Sequence, residues 1–455
     1  MIAMLFQPLI GSGATAGEDH AIAEALSTSA AWERLPALRS GERGQELPLW
    51  ARMVASRQPV TAAALLELDL AHRTRGPVPA GLRAALRYAA AAANRCPMGQ
   101  SIALADAKRA GLDADRLSSL ERGDTQGWSE PEQRALAFAR KMSLASSKVT
   151  DSEFAELVRD YGPHATAAFV LHLAHANFQD RLFHCLGIAG RGEDLPPLAV
   201  AFEPSKQMHR MTAPALIEPA PLKSRSIAAG APGNASDEPG QLQTWQDRLE
   251  FQRARATRLP VPTAEEVERQ LPPGTVKPMR IVWNLICQGY APELAIPWEM
   301  LMRANASEMS PLVNRVFAVG MFWVITKTID CPYCMGHCEM NWEVAGLNRD
   351  QILERSQILS GDDWTAFPAA EQTGFAFARK LTQSPWEITA ADVGALIKAF
   401  GPDPAFAVMM YACRCNYMTR ISNGFQLTLE RDNVFWEYFG IQPPKAARGD
   451  SESKP

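Results

Sequence analysis

Between residues 132 and 144 the apolar positions Leu136, Phe138, Ala139 and Met142 recur at three- and four-residue spacings, the signature of one face of an α-helix. The next segment repeats the pattern with Phe154, Leu157, Val158 and Tyr161, opened by Thr150 as an N-cap and stopped by Gly162-Pro163. Far downstream Thr389 opens a third such stretch, whose stripe is Val393, Leu396, Ile397 and Phe400 and whose stop is Gly401-Pro402. No run of period-two alternation competes with these helices. The pattern predicts an all-α fold.

The resemblance between the second and third stretches belongs to a longer series. Cys96-Pro97 is answered by Cys331-Pro332, and Ala110-Gly111-Leu112 by Ala345-Gly346-Leu347, both 235 residues on. Ala137 to Lys141, Tyr161-Gly162-Pro163 and the pair Asn177 and Arg181 recur 239 residues later, the last as Asn416 and Arg420. Trp50 and Trp283 extend the series upstream at an offset of 233. An ordered series of this kind predicts a tandem duplication of one helical domain, the copies spanning residues 46–190 and 241–442 and packing face to face as an internal pseudo-dimer. Between them, residues 191–240 hold eight prolines among Gly, Ser and Ala and read as a linker. Residues 1–45 read as an N-terminal extension with one or two short helices, and 443–455 as a polar tail.

Composition narrows the function more than the fold. A formal charge of -4 supplies no general attraction for nucleic acid or anionic lipid, and no local basic patch stands out. The longest apolar stretches, such as 316–325 and 165–176, are too short or too polar for a membrane span. The N-terminus lacks the basic start of a secretory signal, so a cytoplasmic protein without nucleic-acid or membrane partners is the expectation.

Chemistry concentrates in Asp330-Cys331-Pro332-Tyr333-Cys334-Met335-Gly336-His337-Cys338-Glu339. Three cysteines within eight residues, in a chain without a signal, point to redox chemistry or metal binding rather than to structural bridges. At a helix N-terminus the dipole and the free N–H groups are expected to favour a thiolate, and a second thiol one turn away can resolve a sulfenic acid as a disulfide. Proline suits the first turn. At roughly 100° per residue Cys334, His337 and Cys338 fall on the same face as Cys331, so His337 can reach Cys334 as base or ion-pair partner.

An all-helical domain carrying Cys-Pro-Tyr-Cys followed by His resembles the carboxymuconolactone decarboxylase and alkyl hydroperoxidase D-like superfamily. The resemblance implies a thiol-dependent peroxidase with no cofactor, in which Cys334 attacks a small-molecule peroxide, Cys331 resolves it and an external dithiol restores the pair; a homo-oligomer is compatible with it. In the family's peroxidase branch the histidine stands four residues after the second cysteine, and a glutamate about a dozen residues before the first completes a proton relay. Here Cys338 holds the former place, with the histidine at His337, and Val319 holds the latter, with no carboxylate until Glu308. The first copy reads Cys96-Pro97-Met98-Gly99-Gln100-Ser101-Ile102, with Gly99 and Ile102 where the second has Cys334 and His337, and cannot do dithiol chemistry.

Other readings stay open at this level. Cys331, Cys334, His337 and Cys338 form a Cys3His set for zinc in a redox-sensing or interaction module, although one helix cannot easily wrap four ligands around an ion. Buried inert thiols are a third reading. A lactone decarboxylase is a fourth, against which the intact cysteine pair argues. Cys338, Asn416 and Arg420 are auxiliary candidates, the latter two equally suited to the interface between the repeats because the first copy retains them. Cys413 and Cys415 read as core residues, and His172 and His175 as helix-packing or surface residues. Seven of the eleven tryptophans lie between 283 and 436, where they suit core packing or the lining of an apolar pocket.

Overall fold

The computed structural model describes residues 22–36, 45–188, 190, 245–271 and 279–443. Among them every regular element is helical and none is a strand. The 191–240 segment and most of the N-terminal extension and the tail lie outside the described residues.

The first half runs through α1 (Thr28–Arg34), α2 (Leu49–Ala55), α3 (Pro59–Thr74), α4 (Ala80–Ala93), α5 (Pro97–Arg109), α6 (Ala114–Arg122), α7 (Glu130–Leu144) and α8 (Asp151–Cys185). After α9 (Trp245–Ala254) and α10 (Ala264–Gln270) come α11 (Val282–Tyr290), α12 (Pro292–Met309), α13 (Arg315–Ile329), α14 (Pro332–Val344), α15 (Arg349–Ser360), α16 (Ala369–Gln383), α17 (Ala390–Phe400), α18 (Pro402–Phe425) and α19 (Phe435–Phe439). Helix starts recur in order: Pro59 and Pro292 are 233 residues apart, Pro97 and Pro332 are 235 apart, and Asp151 and Ala390 are 239 apart. The offset grows after α15, which has 12 residues where α6 has 9.

Local chemistry explains the boundaries. Thr150 and Thr389 each accept from the backbone N–H three residues on, and Glu153 and Asp392 return the bond to the cap N–H, closing a capping box at both helix starts. Gly162 and Gly401 adopt φ 78° and 81°, a conformation glycine reaches without strain. Neither glycine ends the helical path for long, because Pro163 and Pro402 restart it at once; in the first half the two segments form one kinked rod. The stripe residues Leu136, Phe138, Ala139, Met142, Phe154 and Leu157 are all buried.

The long helices α8 and α18 pack against each other and join the halves. Gly424 permits the close approach, since a Cβ there would lie 2.8 Å from Val170 and 3.0 Å from Met142. The bonding at this seam is symmetric, an asparagine bond within each half and an arginine bond from each half to the other. Asn177 donates to Ser143 Oγ at 3.0 Å and Asn416 to Thr382 Oγ1 at 3.1 Å. Arg181 donates to the Thr382 carbonyl at 3.1 Å, and Arg420 to that of Ser143 at 3.4 Å. Glu308 of α12 joins the halves at a second place by accepting from the Val60 and Thr61 N–H groups at 2.9 Å, which caps the first turn of α3.

His172 and His175 are buried, and α3 brings His72 to them. His72 Nδ1 lies 3.0 Å from His172 Nδ1, and the His72 ring stacks on His175 at 4.2 Å. Burial, and then neighbouring histidine and arginine charges, hold all three well below the usual histidine range. They are neutral in the fold, whereas the unfolded chain takes up protons below about pH 6.5. Stability is therefore expected to be full above that pH and to fall below it, by up to about 1.4 kcal/mol per histidine for each pH unit. Thermal melts between pH 7.5 and 5.5 check this; a midpoint that does not fall would contradict it.

Candidate functional site

Cys331 is the N-cap of α14 and Cys334 stands in its first turn. The two do not face the same surroundings. Cys334 lines a cavity of about 400 Å³ enclosed by α11, α12, α13, α14, α18 and α19, a volume in the range of small-molecule sites. Cys331 is fully buried and does not line it. The walls are largely apolar, with Trp283, Trp298, Phe322, Met418 and Phe435 among them, so two of the clustered tryptophans line a pocket. Trp298 also stacks on Tyr417 at 3.4 Å between ring centres, which stiffens that wall.

His337 opens on the same cavity one turn along from Cys334. Its Nε2 lies 2.8 Å from Glu430 Oε2. Glu430 Oε1 accepts from the Tyr333 hydroxyl at 3.0 Å and from the Val282 N–H at 2.7 Å. Burial alone would raise the Glu430 carboxyl, but the imidazole beside it, with these hydrogen bonds, holds it below its ordinary value. Glu430 is thus an anion that orients His337.

This carboxylate is 93 residues from His337 in sequence. It arrives on the extended chain after α18, where the Leu429 N–H donates to the Gln252 carbonyl at 3.2 Å and anchors the segment to α9. Leu429 packs over Gly336, where a Cβ would lie 2.3 Å from its side chain; only glycine at that place lets the segment approach. The carboxylate that the family resemblance places before Cys331 is absent there: Val319 is part of the apolar wall, and Glu308 is engaged as the α3 cap. Glu430 had no local signal, and nothing in residue spacing linked it to the cysteines. Ser422 was missed for the same reason.

The expected thiolate is not the resting state. Cys334 Sγ donates to Ser422 Oγ at 3.2 Å, while the Ser422 hydroxyl donates to the Met418 carbonyl at 2.9 Å. Burial, and then the adjacent Cys331 thiol, push Cys334 well above the usual thiol range. Desolvation outweighs the helix terminus, because the dipole's effect is modest beside the cost of ionising a thiol in an apolar interior. Chemistry at Cys334 must remove its proton as the bond to sulfur forms.

The auxiliary candidates lie elsewhere. Cys338 is fully buried off the cavity, raised well above the usual thiol range by burial and then by Cys415 and Cys331. Asn416 and Arg420 belong to the seam between the halves and do not line the cavity. Cys413 and Cys415 are buried in α18. Among the described residues, which include Cys331, Cys334, His337 and Cys338, no group of three or more His, Cys, Asp or Glu side chains is placed to hold a metal ion. Among the same residues no helix is long and apolar enough to cross a membrane.

At the matching place in the first half the space is filled. Arg87 donates to Asp180 at 2.5 Å, and Asn94 donates to the other oxygen of that carboxylate at 2.8 Å. A Cβ on Gly99 would lie 2.3 Å from Asp180 and 2.7 Å from Arg87. An ion pair therefore occupies the position that corresponds to the Cys334 side chain. No protein-family model matches the chain, and no curated protein matches it.

Proposed function

We propose that the protein is a thiol oxidoreductase that reduces peroxides through Cys334 and Cys331. The observation that carries this reading is the division of labour within one helical turn: Cys334 faces an apolar cavity beside the His337–Glu430 pair, and Cys331 is closed off behind it. Cys334 sulfur attacks one peroxide oxygen, the O–O bond breaks, and the thiol proton passes to the departing oxygen, giving a sulfenic acid and an alcohol or water. His337, held through Nε2 by Glu430, is placed to relay that proton. The Cys331 thiol then displaces water from the sulfenic acid to form a disulfide, and an external dithiol reduces it back to two thiols.

Intact-mass measurement before and after one equivalent of hydrogen peroxide tests the cycle. The expected product has lost two hydrogens, maps to a Cys331–Cys334 link and reverts with a dithiol. Protein of unchanged mass, or a link that excludes Cys334, would sink the proposal.

A further inference from the structure

Five acidic, basic or imidazole side chains line the cavity: Glu299, Arg303, Arg315, His337 and Arg414. Arg303 is paired with Glu299 by two bonds of 3.1 and 3.0 Å, and His337 with Glu430. Among the described residues the other two arginines have no carboxylate partner. Arg315 donates to the Asn341 side chain and lies 3.9 Å over the Phe439 ring. Arg414 donates to Asn305 Oδ1 at 3.0 Å and lies 4.6 Å from the Tyr411 ring centre. The Nε of each is buried without a hydrogen-bond partner, and Arg414 is only 8% exposed. Two guanidinium groups in a largely apolar cavity, neither bonded to a carboxylate among the described residues, carry a large desolvation cost. Burial brings Arg315 down to about 10, and the charge of Arg414 acts in the same direction.

We propose that Arg315 and Arg414 form the binding site for the carboxylate of an apolar organic acid, whose hydrocarbon or aromatic body fills the cavity toward Cys334. A carboxylate supplies what both guanidinium groups lack, a planar acceptor with two oxygens. The walls supply the rest, being mostly side chains of Trp, Phe, Tyr, Met, Val, Ala, Ile and Pro. The first half supports the assignment independently. Where α13 begins with Arg315, α4 begins with Ala80, and His175 stands where α18 has Arg414. Neither of these two arginines thus has a counterpart in the half that lacks the cysteine pair. Binding of the acid rests on the cavity alone; that the acid bears the peroxide rests on the function proposed above. In that case the step is R–OOH plus the Cys334 thiol giving R–OH plus the sulfenic acid, with the carboxylate unchanged.

Calorimetric titration of the reduced protein, without peroxide, tests this with octanoate against octanamide, which share length and apolar body and differ in charge. Octanoate is expected to bind about tenfold or more tightly than the amide, as a charge-assisted bond implies. Arg315→Gln and Arg414→Met are each expected to remove most of that preference and leave octanamide binding unchanged. Equal affinity of acid and amide for the wild-type protein, or no binding of the acid, overturns the proposal, and neither result depends on how the variants fold. Because no thiol reacts in this titration, its failure is distinguishable from a failure of Cys334 to be oxidised.

Discussion

Peroxide consumption is expected to fall to the level of buffer in Cys334→Ser, because this is the one thiol that reaches the cavity and a serine hydroxyl is not a nucleophile toward peroxide oxygen. Cys331→Ser is expected to behave differently: one equivalent of peroxide is consumed and the protein stops with one added oxygen on Cys334, since nothing remains to resolve it. Glu430→Gln completes the series. The amide keeps the shape of the carboxylate and removes the anion beside His337 Nε2, so the oxidation rate is expected to drop by about ten- to a hundredfold, at or below the lower end of what proton-transfer assistance contributes. Rapid-mixing measurements of thiol loss, read with intact mass, separate the three. Undiminished consumption in Cys334→Ser would remove Cys334 from the chemistry. An unchanged rate in Glu430→Gln would leave Glu430 only a structural anchor.

Asp180→Ala is expected to cost the fold about 3–5 kcal/mol, because it leaves the Arg87 guanidinium buried without its counter-charge. Asp180 is completely buried and serves both Arg87 and Asn94. A loss of that size lowers the melting midpoint by roughly 4–7 °C in a protein with this much ordered chain. The double replacement Arg87→Met with Asp180→Leu is expected to recover most of it, since an apolar pair of similar volume avoids the desolvation cost altogether. Thermal unfolding of the three variants checks both statements. A loss below about 1 kcal/mol for Asp180→Ala would mean that the pair is effectively solvated, as exposed ion pairs are. Oxidation of Cys334 should be unaffected below the melting range, because the pair lies in the other half. The same ion pair explains why Gly99→Cys would not recreate a second dithiol site: the new side chain would meet Asp180 and Arg87 first.

How far the chain could be read from its own residues differs between the fold and the site. Helical class, the caps at Thr150 and Thr389, the breaks at Gly162 and Gly401 and the buried stripes were all legible, since each depends on contacts within a few residues. So was the placement of Cys331, Cys334 and His337 around one helix start, because 3.6 residues per turn brings them together whatever surrounds them. Three things were decided only by packing. Glu430 reached His337 from 93 residues away because Leu429 could settle on Gly336. Cys334 became a protonated donor to Ser422 because burial, a property of the whole molecule, outweighed the local pull of the helix terminus. The charge left unpaired on Arg315 and Arg414 emerged only when α13 and α18 came to share one cavity. Short-range preferences set the backbone of this protein and the order of its reactive residues. Ionisation, proton partners and ligand charge depend on distances across the fold, and those exist only once the helices have packed.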